Sequence, residues 1–144
     1  MTRAKWAAEL AEVARHAGAE ILKIYAGDFA TQRKADHSPV TAADLAAEAV
    51  ILPALRRLAP DIAIVSEEDS QQSGLPREAP SRFWLVDPLD GTKEFVARNG
   101  EFTVNIALIE DGRPVLGIVH LPALAQTYRG YDRVAERADD GASF

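Results

Sequence analysis

The chain has 144 residues, no cysteine, 47% hydrophobic and 26% charged residues, and a formal net charge of −6 with a pI near 5.0. That length can bury one compact core, and the missing cysteines exclude disulfides, thiolate nucleophiles and cysteine-ligated zinc. The acidic balance argues against a broad nucleic-acid-binding or anionic-membrane surface, although a metal ion or a local cluster of donors would still let it hold an anionic small molecule.

The N-terminal stretch MTRAKWAAELAEVARHAGAEILKIYAG is broken by Glu9, Glu12, Arg15 and His16, so it does not read as a signal peptide. No later run is long and apolar enough to span a bilayer. The expected location is therefore the cytoplasm, with peripheral association at the inner membrane left open. Leu10, Val13, Ala14, Ala17, Ile21 and Ile24 recur at three- and four-residue steps and predict an amphipathic helix stopping near Gly27. Thr41 reads as the N-cap of a second helix, Ala42 to about Leu58, which Pro53 should kink or split.

Ile62–Ser66 and the run beginning at Phe83 predict buried strands, separated by a Gln-, Ser-, Pro- and Gly-rich loop from Ser70 to Ser81. A short helix should open at Thr92 and end near Gly100. FTVNIALIE and RPVLGIVHLP flank Asp111-Gly112, a strong hairpin signal, and both are apolar on both faces, which predicts helices on each side of the sheet. After Gly130 the chain turns polar and reads as a frayed helix or a chain end. The expected domains are 1–131 and an atypical tail, 132–144, at a point of truncation.

Both strands run into acids: Ile62–Ser66 into Glu67-Glu68-Asp69, and FWLV into Asp87-Pro-Leu-Asp90. If the strands are neighbours and point the same way, these carboxylates meet at one sheet edge. There they cannot all stay ionised without a proton or a cation. Oxygen ligands select Mg²⁺, Mn²⁺ or Ca²⁺ over zinc. Pro88 fixes the chain so that Asp87, the Leu89 carbonyl and Asp90 can converge, and Gly91 admits a ligand close to the backbone. The helix opening at Thr92 offers free N–H groups to a phosphate. On spacing alone a plain turn and helix cap explains D-P-x-D-G-T equally well. An EF-hand beginning at Asp87 fails, because Leu89, Gly91 and Arg98 stand where oxygen ligands are needed; Walker and HExxH patterns are absent.

FWLVDPLDGTKEF resembles the central signature of the lithium-sensitive, Mg²⁺-dependent phosphatase superfamily that includes inositol monophosphatase. Lys93-Glu94-Phe95 and the following RNGEFTVNIALIEDG are similar to its bacterial 3′(2′),5′-bisphosphate nucleotidase branch (CysQ type), and KADHSPVTAAD and VSEED agree. The resemblance runs from about residue 5 to about residue 131. It implies a layered α/β (α+β) helix–sheet domain with a mostly antiparallel sheet, the N-terminal half of the inositol monophosphatase / sugar phosphatase fold. It also implies two or three Mg²⁺ ions (Mn²⁺ as a substitute) held by Glu67, Asp87, the Leu89 carbonyl and a bridging Asp90. Gly91 and Thr92 would form the phosphate-binding turn, with Lys34 nearby. Asp36 would work with Thr92 on the attacking water, and Asp44 would support that network.

The implied reaction is hydrolysis of adenosine 3′,5′-bisphosphate to AMP and phosphate in sulfur metabolism. Inositol phosphates are the runner-up substrate, and an inactive metal- or phosphate-binding remnant is the rival reading. Two tryptophans are present, Trp6 and Trp84, and neither precedes an aspartate, so the family's W-D-x-A motif and its second α/β domain are missing. Exposed apolar surface is expected where that half would dock, which makes a homodimer a candidate assembly.

Overall fold

The computed structural model describes residues 1–27, 38–67 and 80–144. Helix α1, Arg3–Tyr25, starts at Thr2, whose hydroxyl accepts from the Lys5 N–H at 3.2 Å. Helix α2, Pro39–Leu58, is capped by Ser38, whose Oγ accepts from the Thr41 N–H at 3.2 Å, and not by Thr41 as the sequence suggested. Proline suits the first helical position because its missing N–H has no intrahelical partner there. Pro53 does not split α2. It and Ala49, whose carbonyl loses an N–H partner, are both exposed, so water can serve that carbonyl.

Six strands form one sheet in sequence order: β1 Ala63–Ser66, β2 Arg82–Asp90, β3 Thr103–Glu110, β4 Arg113–Leu121, β5 Gln126–Tyr131 and β6 Val134–Asp139. β1 and β2 are parallel and every other pair is antiparallel. The β3–β4 turn is the expected hairpin, with Asp111 at φ 50° and Gly112 at φ 76°, the left-handed pair that matches strand twist. The polar residues after Tyr131 are no frayed helix: Val134–Asp139 pairs along β5, and Phe144 packs back against the core. Alternation there was masked because β6 is an edge strand with little apolar content.

α1 and α2 cover one face, against which Trp84, Val86, Val104, Ile106, Leu108, Leu116 and Ile118 are buried. Trp6 meets Trp84 edge-on with ring centroids 5.4 Å apart. The short helix α3, Thr92–Ala97, also packs on this side, since Phe95 lies 5.3 Å from Tyr25 of α1 and joins the same core. The expectation of helices on both faces is corrected: Leu85, Val119 and Tyr128 are 42%, 39% and 41% exposed on the opposite face, which no described helix covers. Continuous apolar strands signal that both faces are meant to be covered, but not by which residues. Among the described residues, no helix is long and apolar enough to cross a membrane.

α1 packs tightly on the end of β4 at Gly18. A Cβ there would stand 2.7 Å from two ring atoms of His120 and 2.9 Å from Pro122. His120 is buried and its Nδ1 lies 2.8 Å from Thr127 Oγ1, so it cannot simply swing away. Gly18→Ala should therefore lower stability by about 1–3 kcal/mol through overpacking, despite the better helix propensity of alanine. Urea denaturation of the two proteins checks this.

Candidate active site

The parallel β1–β2 pairing assembles the site. Its register runs Ala63↔Phe83 to Ser66↔Val86, and one further step sets Glu67 opposite Asp87. The two carboxyls are in hydrogen-bond contact. β2 continues through Pro88, with the β2–β3 register shifting between Asp87 and Asp90. Leu89 is buried and Asp90 exposed. The Leu89 N–H donates to the Asp87 carboxyl, while Asn105 Nδ2 donates to Asp90 Oδ2 at 3.3 Å.

Burial, followed by the contact with Glu67 and the charges of Glu67 and Asp90, pushes the Asp87 pKa up to about 8. Among the described residues no lysine or arginine opposes this. A carboxyl held protonated by burial and like charges releases its proton to a cation, so this donor set fits a hard divalent ion. The fit is partial, because no group of three or more acidic or histidine side chains among the described residues is gathered to hold an ion. Carbonyl and solvent oxygens would have to complete the coordination.

Gly91 is left-handed, at φ 89° and ψ 53°, and caps α3 without a side chain. A Cβ added there would lie 3.3 Å from Phe102 Cα and 3.1 Å from Glu94 Oε2. Thr92, at the first position of α3, is exposed beside Asp90. Asp44 is not in the first turn of α2, since that helix starts at Pro39; it is buried on the same helix face as Ala47, Ile51 and Leu55. A helix-dipole role at the N-terminus does not account for its burial. Lys34, Asp36, Glu68 and Asp69 lie outside the described residues.

Two residues at the site were not singled out in the sequence. Asn105 stands opposite Asp87 in the β2–β3 register, and its signal was a lone amide inside an apolar strand. Arg98 donates to the carbonyls of Tyr25, which ends α1, and of Gly27 just beyond it; nothing local in the sequence marks it. Among the cavities lined by described residues, two lie elsewhere. One of about 380 Å³ is lined by Arg3, Leu116 and Tyr131, and one of about 480 Å³ by Val119, Tyr128 and Arg129 on the uncovered sheet face.

The Inositol monophosphatase family profile matches residues 3–137. The chain belongs to the inositol monophosphatase family. It is 52% identical over 135 residues to the 3′(2′),5′-bisphosphate nucleotidase CysQ of Salmonella typhimurium, a match covering 92% of this chain and 54% of the relative. Against CysQ of Escherichia coli K12 the identity is 48%, with the same coverage. Among solved structures of the family, CysQ from Bacteroides thetaiotaomicron superposes with a TM-score of 0.73 at 38% identity, covering 88% of this chain and 46% of that one. The inositol monophosphatase from Anabaena gives 0.73 at 30% identity, covering 92% and 46%. The chain thus spans about half the length of the curated relatives it matches. The match reaches past residue 131 into β6, which the resemblance read from the sequence did not.

Proposed function

We propose that this chain carries the metal- and phosphate-binding half of a Mg²⁺-dependent phosphomonoester hydrolase, most specifically a 3′(2′),5′-bisphosphate nucleotidase that converts adenosine 3′,5′-bisphosphate to AMP and phosphate. One observation carries the reading: the Glu67–Asp87 carboxyl pair at the ends of two parallel strands, beside the Asp90–Thr92 turn. Glu67, Asp87, the Leu89 carbonyl and Asp90 would hold Mg²⁺, with two or three ions in a complete site and Mn²⁺ as a substitute. The bound ions supply Lewis-acid charge at the phosphoryl oxygens.

The chain's own groups do the positioning. Asn105 orients the Asp90 carboxylate through its amide. Gly91 brings the backbone close to a phosphate, and the α3 N–H groups and the Thr92 hydroxyl bind its oxygens. Thr92 together with Asp36 would orient the attacking water and take its proton, with Asp44 supporting that network and Lys34 adding positive charge. Positioning and charge neutralisation then suffice for in-line displacement, with no covalent phospho-enzyme.

The nucleotide assignment rests on the activity for which the relatives about half identical to this chain are named and on Lys93-Glu94-Phe95. Inositol phosphates are the competing substrate class. Half-length coverage favours a second reading: a fragment that binds Mg²⁺ or phosphate without turnover, or that acts with another chain. A homodimer joined through the uncovered apolar sheet face fits the exposure of Leu85, Val119 and Tyr128. A cytoplasmic location fits the substrate.

Phosphate release from adenosine 3′,5′-bisphosphate in Mg²⁺, run beside an inositol monophosphate, tests the activity. Asp90→Asn should lower release by about a hundredfold or more. Release that is absent, or indifferent to Asp90, overturns the hydrolase reading for this chain.

A further inference from the structure

Arg98 sits where a glycine would be expected. It ends α3 in the left-handed region, at φ 57° and ψ 33°, a conformation that costs a non-glycine residue stability. Its backbone N–H bonds to the Phe95 carbonyl, and the neighbouring Asn99 N–H to the Glu94 carbonyl. These bonds would form equally well with glycine in its stead. What glycine could not supply is the guanidinium, which donates through Nη1 to the Tyr25 carbonyl at 2.6 Å and through Nη2 to the Gly27 carbonyl at 2.7 Å. The group also lies 5.5 Å from the centre of the Tyr25 ring.

The Tyr25 carbonyl is one that a long helix leaves unsatisfied at its C-terminus, where a cation also meets the negative end of the dipole, and the Gly27 carbonyl lies two residues beyond it. α1 has 23 residues, α3 only six. A six-residue helix does not hold its own shape in water, so α3 depends on its attachments. At its buried side Phe95 packs with Tyr25 and Phe102, whose ring centres lie 4.9 to 5.3 Å apart. At its far end Arg98 fastens it to α1. Phe102 Cα in turn backs onto Gly91.

We propose that Arg98 is a positioning residue for the phosphate-binding turn: by clasping the C-terminus of α1 it fixes α3, and with it Gly91 and Thr92, against the strand-borne carboxylates. The proposal rests on the functional reading above, and it concerns a residue that touches neither substrate nor metal. Asp87 stands in β2 and Glu67 directly follows β1, and neither hangs on α3. Loss of Arg98 should therefore weaken phosphate binding and spare the metal.

The test compares wild type, Arg98→Ala and Arg98→Lys, all first checked for an unchanged far-UV spectrum. Calorimetry with inorganic phosphate in saturating Mg²⁺ should show binding weakened about tenfold in Arg98→Ala, in keeping with the loss of hydrogen bonds from a charged donor. Mg²⁺ affinity should stay within about twofold, and millimolar guanidinium should restore most of the phosphate binding to Arg98→Ala only. Lysine should rescue partly, since it brings the charge but not the two-pronged geometry. Equal phosphate affinity in wild type and Arg98→Ala overturns the proposal, as does a parallel fall in phosphate and Mg²⁺ binding, which would mark a general loss of structure. Hydrogen exchange supplies a readout free of any ligand. The Phe95 N–H, bonded to the Gly91 carbonyl at 2.9 Å, should exchange about tenfold faster in Arg98→Ala. Unchanged exchange there overturns the proposal even if the wild type binds neither ligand, an outcome that would by itself refute only the functional reading.

Discussion

Asp87→Asn should make the metal-free protein more stable than wild type in mild alkali while abolishing its uptake of divalent cations. The Asp87 carboxyl is partly buried and crowded by Glu67 and Asp90, and its pKa stands at about 8, against 3.8 in an unfolded chain. Between those two values the folded wild type holds a proton that the unfolded chain has released. Its stability contribution is complete below the unfolded value and is lost as pH rises through about 8. Asparagine keeps the shape and the hydrogen-bonding capacity of the protonated carboxyl but has no proton to lose. In EDTA, urea midpoints of the two proteins should agree below about pH 4, diverge as pH rises from there to about 8, and keep a constant gap above it, with the variant higher. His120, whose burial lowers its pKa and so acts in the opposite sense, is common to both proteins and cancels in the difference. Mg²⁺ should then raise the wild-type midpoint and leave the variant unmoved, because only the wild type has a binding reaction to couple to folding. Parallel pH profiles in EDTA would remove the carboxyl crowding from the account. An Mg²⁺ response that survives in the variant would remove Asp87 from the ligand set.

How far that pair could be read in advance depended on one undetermined relation. The sequence showed two apolar runs ending in acids, but the strands they predict carry no mark of parallel pairing. A one-residue slip would have turned Asp87 toward the core and Glu67 away from it. The register supplied that missing fact. Thr41 read as the cap where the structure has Ser38, because both side chains can accept an N–H and only the backbone decides; their hydroxyls lie 2.9 Å apart. The polar last strand was unreadable for a different reason. β6 belongs to the sheet through backbone bonds to β5, with Ala138 as its one buried residue, so it offers no hydrophobic period to detect. Arg98 was equally hidden, since its partners are carbonyls at positions 25 and 27, distant in sequence and blind to side-chain identity.

The uncovered sheet face connects the site to the half-length match. Asp87 stands in register with Asn105, which pairs with Val119, which pairs with Tyr128. The carboxyl therefore shares a face with the exposed Val119 and Tyr128 and is only half buried. Whatever covers those side chains also encloses Asp87, and lowering the local dielectric strengthens each electrostatic contact there. Among the described residues, the chain thus holds its carboxylates at the rim of an uncovered sheet face, with less desolvation than an enclosed site would impose.

Mg²⁺ uptake by the wild-type chain should release close to one proton per site at neutral pH. A metal-ligating carboxylate must be ionised, and at pH 7 the Asp87 carboxyl, with its pKa at about 8, is mostly protonated. Binding must displace that proton, so the apparent affinity should climb about tenfold for each pH unit below about 8 and level off above it. The sense is opposite to that of metal-free stability, which falls over the same interval, and the common cause is that protonation and metal compete for one carboxyl. Calorimetric titrations in two buffers of different ionisation enthalpy, at about pH 7 and about pH 9, count the protons directly: about one at the lower pH and close to none at the higher. Asp90→Asn should bind more weakly yet still release the proton, because Asp87 and Glu67 remain in contact without it. Affinity that is flat with pH, with no proton released, would mean that the ion binds elsewhere and that the Glu67–Asp87 pair keeps its proton for structural reasons alone.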